Sequence, residues 1–286
     1  MPELPEVETV IRSLRPHIIG HKIQTITVLH HKTAHLSQDE LVSGAAQQAN
    51  QLLFAAQGQT IQAVIRLGKY IILQLNTGYL VAHLRMTGKI FPLTPAEFAN
   101  PAAAAPLQHV RVIFALEPAL KLVFVDQRKF GRIIYCANLD WLTAKLGPDP
   151  LGPAFTVAWL QQRLAPLKRA AKPVLLDQSV IAGLGNIYVD EALWYAGVLP
   201  TRPVNQITKP ELERLHAGIQ QILTLAIQKN GTTFQSYSFM GEQPGEFVSY
   251  LQVFGRQGLP CYRCGTVIKK IRVAQRGTHV CFGCQK

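Results

Sequence analysis

The chain has 286 residues, which at about one domain per 150 residues predicts about two domains. Hydrophobic residues make up 48% of it, too many for a disordered chain, and no apolar run approaches the roughly 18 residues of a membrane span. Lys and Arg number 29 against 17 Asp and Glu, a formal net charge of +12. We therefore expect a soluble intracellular protein with a polyanionic partner, and this charge is compatible with DNA, RNA, ribosomes or an anionic lipid surface. The acidic, proline-broken start, Met1–Glu6, is unlike a secretory signal.

The first half of the chain predicts one helix followed by strands. Apolar residues recur at i, i+3, i+4 and i+7 after Pro5, which indicates a helix that Pro16 ends or kinks. Short runs rich in Val, Ile and aromatic residues then predict strands, and their spacing favours a β-sandwich. The runs are Lys22–Leu29, Ile61–Arg66, Tyr70–Leu75, Tyr79–Leu84, Val110–Leu116, Lys121–Val125 and Arg132–Cys136. The alanine-rich stretch Ala96–Pro106 is predicted to be a surface insertion.

The composition changes at Leu146–Pro153, where Gly and Pro predict a linker. The pattern then becomes helical, and Thr208 with Glu211 forms a capping-box sequence before the longest helix. The predicted helices are Val157–Leu164, Lys172–Ser179, Ile187–Ala196 and Lys209–Gln228. We expect a domain over residues 1–146, a linker over 147–153, a helical domain over 154–257 and a metal-bound segment over 258–286.

Four of the five cysteines form two Cys-x-x-Cys pairs with sixteen residues between the pairs, a spacing typical of zinc sites. They are Cys261, Cys264, Cys281 and Cys284. Four thiolates saturate a tetrahedral Zn²⁺ and leave no position for water, so we expect one structural zinc ion. Lysines and arginines interleaved with apolar residues between the pairs indicate a hairpin that carries cations to a phosphate backbone. A zinc knuckle that binds another protein is the alternative. Cys136 is expected to be a small buried side chain.

Removal of Met1 exposes the secondary amine of Pro2, and an α-amine has a pKa near 7.7–8.0, well below that of Lys. Such an amine can attack an aldehyde-like carbon and form an iminium, with Glu3 and Glu6 available to move protons. The alternative is that Pro and Glu merely start a helix. Further along, Gly183-x-Gly185 opens a helix whose N–H groups, with the Asn186 side chain, are able to hold a phosphate. A tight turn between helices explains this second motif equally well.

The run Pro2–Glu8, the turn Gly183–Tyr188 and the terminal cysteine pairs together resemble the formamidopyrimidine-DNA glycosylases. The resemblance implies an α+β fold: an N-terminal β-sandwich with flanking helices, a helix–two-turn–helix domain and a zinc hairpin, with damaged double-stranded DNA bound between them. It implies a bifunctional enzyme that excises 8-oxoguanine and formamidopyrimidines and then nicks the strand by β- and δ-elimination. We expect a monomer without an obligate protein partner, in the bacterial cytoplasm and associated with the nucleoid.

The resemblance also assigns roles to residues. Pro2 attacks C1′, and Glu3 is the proton donor at the sugar. Lys69 and Arg276 hold phosphates and assist β- and δ-elimination respectively. His109, Arg128 and Lys168 contact DNA, and Met86, Arg128 and Phe130 fill the space of the everted base. The alternatives are a solvated charge for Lys69, a solvated helix end for Lys168-Arg169-x-x-Lys172, and core packing for Met86 and Phe130.

The segment 231–247 is expected to close over the damaged base, although Phe239–Glu242 departs from the family pattern. Two other functions are considered. A related enzyme for oxidised pyrimidines is disfavoured, since that branch has Gly where this chain has Leu4 and lacks the triad Met86, Arg128 and Phe130. A non-catalytic zinc protein that only binds damaged DNA accounts for the zinc site and the charge, but leaves Pro2, Glu3 and Glu6 unexplained.

Overall fold

A computed structural model describes residues 1–34, 53–100, 107–232 and 245–286. These residues divide into two compact units. The first contains Met1–Pro2 and the described residues between Glu6 and Leu142, and the second contains Glu3–Pro5 and the described residues from Thr143 onwards. Most of the predicted loop 231–247 and the end of the Ala96–Pro106 insertion lie outside the described residues. No helix in the described ranges is long and apolar enough to span a membrane.

The first helix, α1, covers Leu4–Ile18 and includes Pro16 in its last turn. The helix therefore continues past the proline, contrary to one of the two sequence expectations, because a proline removes only its own N–H donor and the Ile19 amide still bonds to the Arg15 carbonyl at 3.4 Å. The predicted apolar stripe of this helix is buried in the core of the first unit; its members are Val7, Val10, Ile11 and Leu14.

Two four-stranded antiparallel sheets form the first unit, in the orders β1-β6-β7-β5 and β2-β3-β4-β8. One core draws its apolar side chains from both sheets and from α1, so the predicted β-sandwich is confirmed. The strands are β1 (Ile23–Val28), β2 (Ile61–Leu67), β3 (Tyr70–Leu75), β4 (Tyr79–His83), β5 (Gly88–Leu93), β6 (Val110–Leu116), β7 (Leu120–Asp126) and β8 (Arg132–Cys136).

The sequence patterns missed strand β5, which contains Pro92. A proline cannot donate to a sheet ladder and argues against a strand, but it is tolerated at an edge. Strand β5 is an edge strand that pairs only with β7 among the described strands. Two short helices complete this part of the chain: α2 (Pro95–Ala99), which has no buried residue and is capped by Thr94, and α3 (Asp140–Thr143).

The second unit contains helices α4 (Val157–Leu164), α5 (Ala171–Leu176), α6 (Asn186–Ala196) and α7 (Lys209–Gln228). The capping box of α7 is present, since the Thr208 N–H donates to Glu211 Oε2 at 2.8 Å. Helix α5 is shorter than predicted because the Asp177 carboxylate accepts from the Ser179 N–H and hydroxyl, which forms a turn instead. The 147–153 stretch has no helix or strand, and the Gly147 N–H donates to the Gln178 carbonyl. Where one domain ends and the next begins stays a prediction.

The chain ends in a hairpin of β9 (Lys269–Val273) and β10 (Arg276–Val280), as the alternation of basic and apolar residues predicts. A small core next to the hairpin contains Val253, Ile268 and the buried cysteines Cys261 and Cys281, and it includes Trp194 of α6. The C-terminal hairpin and its cysteines therefore do not build a core by themselves, because they share this small core with Trp194 of helix α6.

Candidate active site and nucleic-acid interface

Strand register brings two connections of the sandwich to the same end of the first unit. Strand β4 ends at His83, which pairs with Arg132 at the start of β8. Strand β5 begins at Gly88, which pairs with Asp126 at the end of β7. The connections 84–87 and 127–131 therefore both cross from one sheet to the other, side by side. Sequence spacing alone gives no sign of this proximity, because about forty residues separate the two connections.

Three of the predicted site residues lie on these connections. Met86 and Phe130 are 43% and 48% exposed, so neither belongs to a core. Arg128 is also exposed, and its guanidinium carbon lies 4.7 Å from the centre of the Phe130 ring. Exposed large apolar side chains are costly in water and are typical of binding surfaces. The core-packing alternative does not describe Met86 or Phe130, and their role in binding stays a prediction.

Lys69 lies in the two-residue loop between β2 and β3, next to Tyr70, which pairs with His83 across β3 and β4. It is therefore at the same end of the sandwich as Met86. Its side chain is only 5% exposed, which does not fit a solvated charge. A lysine is buried in this way when partners or function retain it.

His83 lies at this same end of the sandwich, and the sequence reasoning did not single it out because a lone histidine in an apolar strand gives no distinctive signal. Burial, and then the charges of Arg85 and Lys69, lower its pKa to about 3. The ring is therefore neutral, and its Nδ1 accepts the Arg85 N–H at 3.0 Å. The ring therefore adds no positive charge of its own, and the cations near it are those of Arg85 and Lys69, which suit phosphate oxygens. His109, half-buried, precedes Val110, which pairs with Val125 near the end of β7, so it lies at this end too.

In the second unit, the N-terminus of α6 holds the Glu3 carboxylate. Its oxygens accept the N–H of Ile187 at 3.1 Å and of Tyr188 at 3.4 Å, two donors that a helix leaves without intrahelical partners. The helix dipole also favours a negative charge there. A Cβ added at Gly185 would lie 2.1 Å from Glu3 Cδ, so glycine is required for this approach. The helix N-terminus therefore fixes a carboxylate of the same chain, adjacent in sequence to Pro2.

The residues on either side of Glu3, from Pro2 to Glu6, are also packed against their surroundings. Gly183 has a φ of +92°, and a Cβ there would lie 2.6 Å from the Leu4 side chain. The Leu4 N–H donates to the Gly183 carbonyl at 3.1 Å. Pro2 is buried, as is Glu6, which is 5% exposed. The turn Gly183-x-Gly185 is thus both a tight turn and the contact surface for Glu3 and Leu4.

Lys172 is completely buried, although the sequence placed it in a solvated helix end with Lys168. Its Nζ lies 2.6 Å from Asp190 Oδ1 and donates to the Gly277 carbonyl at 2.9 Å. Burial lowers the pKa of Lys172, and the Asp190 charge opposes that effect. Lys168 is exposed, which agrees with the alternative interpretation as part of a solvated helix end, and its contact with DNA stays a prediction. No local pattern distinguishes the two lysines.

The same carbonyl receives a second donor, the Asn186 side-chain amide, at 3.1 Å. Asp190 Oδ2 accepts the N–H of His279 at 2.8 Å, so helix α6 holds strand β10 at two points. Arg276 directly precedes Gly277 and is exposed at the tip of the hairpin. The turn before it is held by Ala274 and Gln275, both with positive φ, +43° and +64°. This geometry suits a two-residue hairpin turn but is unfavourable for residues other than glycine, and such strain is often found at functional sites.

The four cysteines of the two pairs form the one group of potential metal ligands found among the described residues, with all Sγ atoms within 4.8 Å of one another. Sγ of Cys261 lies 3.8 Å from that of Cys284, and Sγ of Cys264 lies 3.4 Å from that of Cys281. Zn–S bonds of about 2.3 Å in a tetrahedron place sulfurs about 3.8 Å apart. The four thiols fit one structural zinc ion. Cys136, by contrast, is half-buried and burial raises its pKa.

Comparison with known proteins gives matches along the chain. Residues 1–133 match the formamidopyrimidine-DNA glycosylase N-terminal domain, 146–238 the H2TH domain of the same enzymes, and 258–286 the zinc finger found in FPG and IleRS. The formamidopyrimidine-DNA glycosylase of Geobacillus kaustophilus is 40% identical over 293 aligned positions that cover both chains completely. That of Lactiplantibacillus plantarum is 39% identical over 98% of each chain.

Solved structures give the same result. A Lactococcus lactis FPG mutant in complex with Fapy-dG DNA has a TM-score of 0.85 at 36% identity, with complete coverage of both chains. MutM (FPG) of Thermus thermophilus has a TM-score of 0.82 at 35% identity, and covers 99% of this chain and 98% of its own. With three matching domain models in the same order and relatives aligned from end to end, the chain belongs to the formamidopyrimidine-DNA glycosylase family.

Proposed function

We propose that this protein is a base-excision repair enzyme, a DNA glycosylase and AP lyase that removes 8-oxoguanine and formamidopyrimidines from duplex DNA. The observation that carries the proposal is the pair of hydrogen bonds by which the α6 N-terminus holds the Glu3 carboxylate. Glu3 directly follows Pro2 in the sequence. Two similar solved structures support the substrate class: the Lactococcus lactis FPG mutant contains Fapy-dG DNA, and a MutM of 36% identity contains DNA with carbocyclic 8-oxo-G.

The first step forms a covalent bond between protein and sugar. After Met1 is removed, the Pro2 nitrogen attacks C1′ of the everted nucleotide, and the bond from C1′ to the base breaks, so that the base leaves with the electron pair. The nitrogen then loses its proton, and the C1′–O4′ bond opens to give an iminium. Glu3 supplies the proton that O4′ takes up. A carboxyl held at two backbone donors stays in place for this transfer.

The iminium withdraws electrons from the sugar, so that a proton leaves C2′ and the 3′ phosphate is expelled. A second elimination, with loss of a proton from C4′, expels the 5′ phosphate. In this proposal Lys69 holds the phosphate for the first elimination and Arg276 holds the phosphate for the second, since each presents a cation to a leaving oxyanion. Glu6, which is buried in the first turn of α1, passes protons to and from Pro2 in this proposal. The zinc ion, held by the four cysteines, shapes the finger and takes no part in the chemistry.

DNA is held by further residues. Met86 and Phe130 occupy the space of the everted base as apolar wedges, and Arg128 meets the O2 and N3 acceptors of the unpaired cytosine. Adenine presents no such pair, so excision opposite adenine is disfavoured. His109 and Lys168 bind phosphates. Asn186 uses one amide hydrogen on Gly277 and keeps the other for a phosphate. The protein works as a monomer in the bacterial cytoplasm, at the nucleoid.

The test is borohydride trapping on a duplex with 8-oxoguanine opposite cytosine. Wild-type protein is expected to form a covalent adduct, and Pro2→Gly, whose primary amine replaces the secondary amine of proline, to form it much more slowly. Pro95→Ala is the matched control, since Pro95 is an exposed helix-start proline far from the site in sequence. A normal adduct from Pro2→Gly contradicts the nucleophile. Tight binding by the wild type without adduct or nick supports the non-catalytic alternative, and faster cleavage of thymine-glycol duplexes supports the pyrimidine branch.

A further inference from the structure

Asp126 occupies the point where the two connections of the sandwich meet. It is the last residue of β7 and is completely buried. Its Oδ1 accepts the Thr87 hydroxyl hydrogen and the Arg128 N–H, the latter at 3.2 Å, while its Oδ2 accepts the Gly131 N–H at 2.7 Å. Thr87 Oγ1 in turn accepts the Arg128 N–H at 3.1 Å. One carboxylate therefore ties residues of both connections together.

The opposite side of the 127–131 connection is held by Arg132. Its guanidinium donates to the carbonyls of Lys129, Phe130 and Gly131 at 3.3, 3.2 and 2.9 Å. Thus backbone N–H groups of the 127–131 connection donate to Asp126, and backbone carbonyls of the same connection accept from Arg132. Backbone groups that would otherwise bind water are fixed in one arrangement, which leaves this short segment little conformational freedom.

Gly131 shows how closely the carboxylate approaches the backbone. A Cβ at this position would lie 2.7 Å from Cζ of Phe124 and 3.2 Å from Asp126 Oδ2. Phe124 belongs to the core, so it has little room to move. Any side chain at 131 therefore displaces either the core or the carboxylate, which explains a glycine here although its φ is not positive.

A buried carboxylate is costly, and the strand ladders on either side are complete without it. The Asp126 carboxylate instead holds the backbone next to three exposed side chains: Met86 precedes Thr87, Arg128 is one of the two backbone donors, and Phe130 precedes the other donor, Gly131. Side chains that are ordered before binding lose less conformational entropy when they enter a DNA stack.

We propose that Asp126 is a positioning residue that fixes Met86, Arg128 and Phe130 as one wedge, and that it thereby sets the preference for cytosine opposite the lesion. This rests on the proposed function, because the wedge matters only if a base is everted. Asp126 acts through the Arg128 backbone, so its loss misplaces the guanidinium without removing it.

The test compares single-turnover excision of 8-oxoguanine opposite cytosine and opposite adenine. In Asp126→Asn an NH₂ group faces a backbone donor, and in Thr87→Val the hydroxyl is replaced by a methyl of similar shape. Both are expected to lower the cytosine-to-adenine ratio by about tenfold, the scale of one good base contact. Thr87→Ser is expected to keep the wild-type ratio, because it keeps the hydroxyl. Asp140→Asn, at an exposed carboxylate, is the matched control.

The ratio separates positioning from general damage, since a partly unfolded enzyme loses both rates equally. Thermal unfolding of each variant establishes that it is folded at the assay temperature, and Thr87→Val keeps the test decisive if Asp126→Asn does not fold. Ratios within twofold of wild type in folded Thr87→Val overturn the proposal. Failure of wild-type protein to form a borohydride adduct on an abasic duplex overturns the proposed function as well, whereas a normal adduct with unchanged ratios overturns only the role of Asp126.

Discussion

Replacing Lys172 by methionine tests the buried network that holds the zinc hairpin. Lys172 and Asp190 have no exposed side-chain surface, and their charged atoms lie 2.6 Å apart. The substitution keeps the length of the side chain but leaves the Asp190 carboxylate buried without its cation and removes a donor from Gly277. Breaking a buried pair from one side costs about 3–5 kcal/mol. We expect a loss of that size in the free energy of unfolding of the second unit.

Lys168→Met is the matched control, four residues earlier and exposed. We expect it to change the free energy of unfolding by less than about 0.5 kcal/mol. The double variant Lys172→Met with Asp190→Leu removes both charges, and we expect it to be clearly more stable than the sum of the two single losses predicts, because no uncompensated charge remains.

The assay is urea unfolding at pH 7 with zinc in slight excess, followed by tryptophan fluorescence, since Trp159 and Trp194 both lie in the second unit. A loss below about 1 kcal/mol in Lys172→Met refutes the reasoning, because a buried carboxylate without its cation costs more than that. So does a double variant whose loss equals the sum of the single losses.

Three further predictions concern other parts of the site. Gly185→Ala is expected to lower the single-turnover rate of excision by about a hundredfold, the scale of one proton-transfer group, because a Cβ there displaces the Glu3 carboxylate. Gly152→Ala is the control, since its added Cβ makes only ordinary contacts at 3.4 Å. Equal rates in the two variants contradict the role of Gly185. Burial lowers the pKa of His83 from 6.5 to about 3, so between these two pH values the ring binds a proton in the unfolded chain but not in the folded protein. The free energy of unfolding therefore falls as the pH drops from 6.5 towards 3. Unfolding of wild type and His83→Leu at several pH values is expected to show a steeper fall in the wild type, by up to about 1.4 kcal/mol per pH unit, and parallel curves would show that the ring is not buried in its neutral form. Zinc chelation is expected to release one metal ion per chain, counted with a chromogenic chelator, and to abolish strand nicking; nicking that survives full release contradicts the structural role of the metal.

The sequence predicted the parts of the fold that depend on local patterns. The apolar stripe of α1, seven strands of the sandwich and the capping box at Thr208 all depend on residues close together in the chain. Strand β5 was missed because Pro92 argues against a strand everywhere except at an edge, and which strand lies at an edge is known only from the topology.

The candidate site depends on contacts between residues that are distant in the chain, and no local sequence pattern indicates them. Glu3 meets Ile187, and Asp126 meets Thr87, through hydrogen bonds that no periodicity predicts. Lys172 looks like its exposed neighbour Lys168 in sequence, and only its buried partner Asp190 distinguishes it. The resemblance to a family predicts which residues form the site, whereas strand register and burial explain how Met86, Arg128 and Phe130 come together at one exposed end of the sandwich.

The covalent role of Pro2 is tested most directly by the mass of the trapped peptide. Wild-type protein is reacted with 8-oxoguanine duplex and borohydride, the DNA is trimmed to the sugar, and tryptic peptides are sequenced by mass spectrometry. We expect the peptide ending at Arg12 to start at Pro2, to lack Met1 and to carry the reduced deoxyribose on its terminal nitrogen. A sugar found on Lys69 or any other side chain, or an active protein that retains Met1, contradicts it.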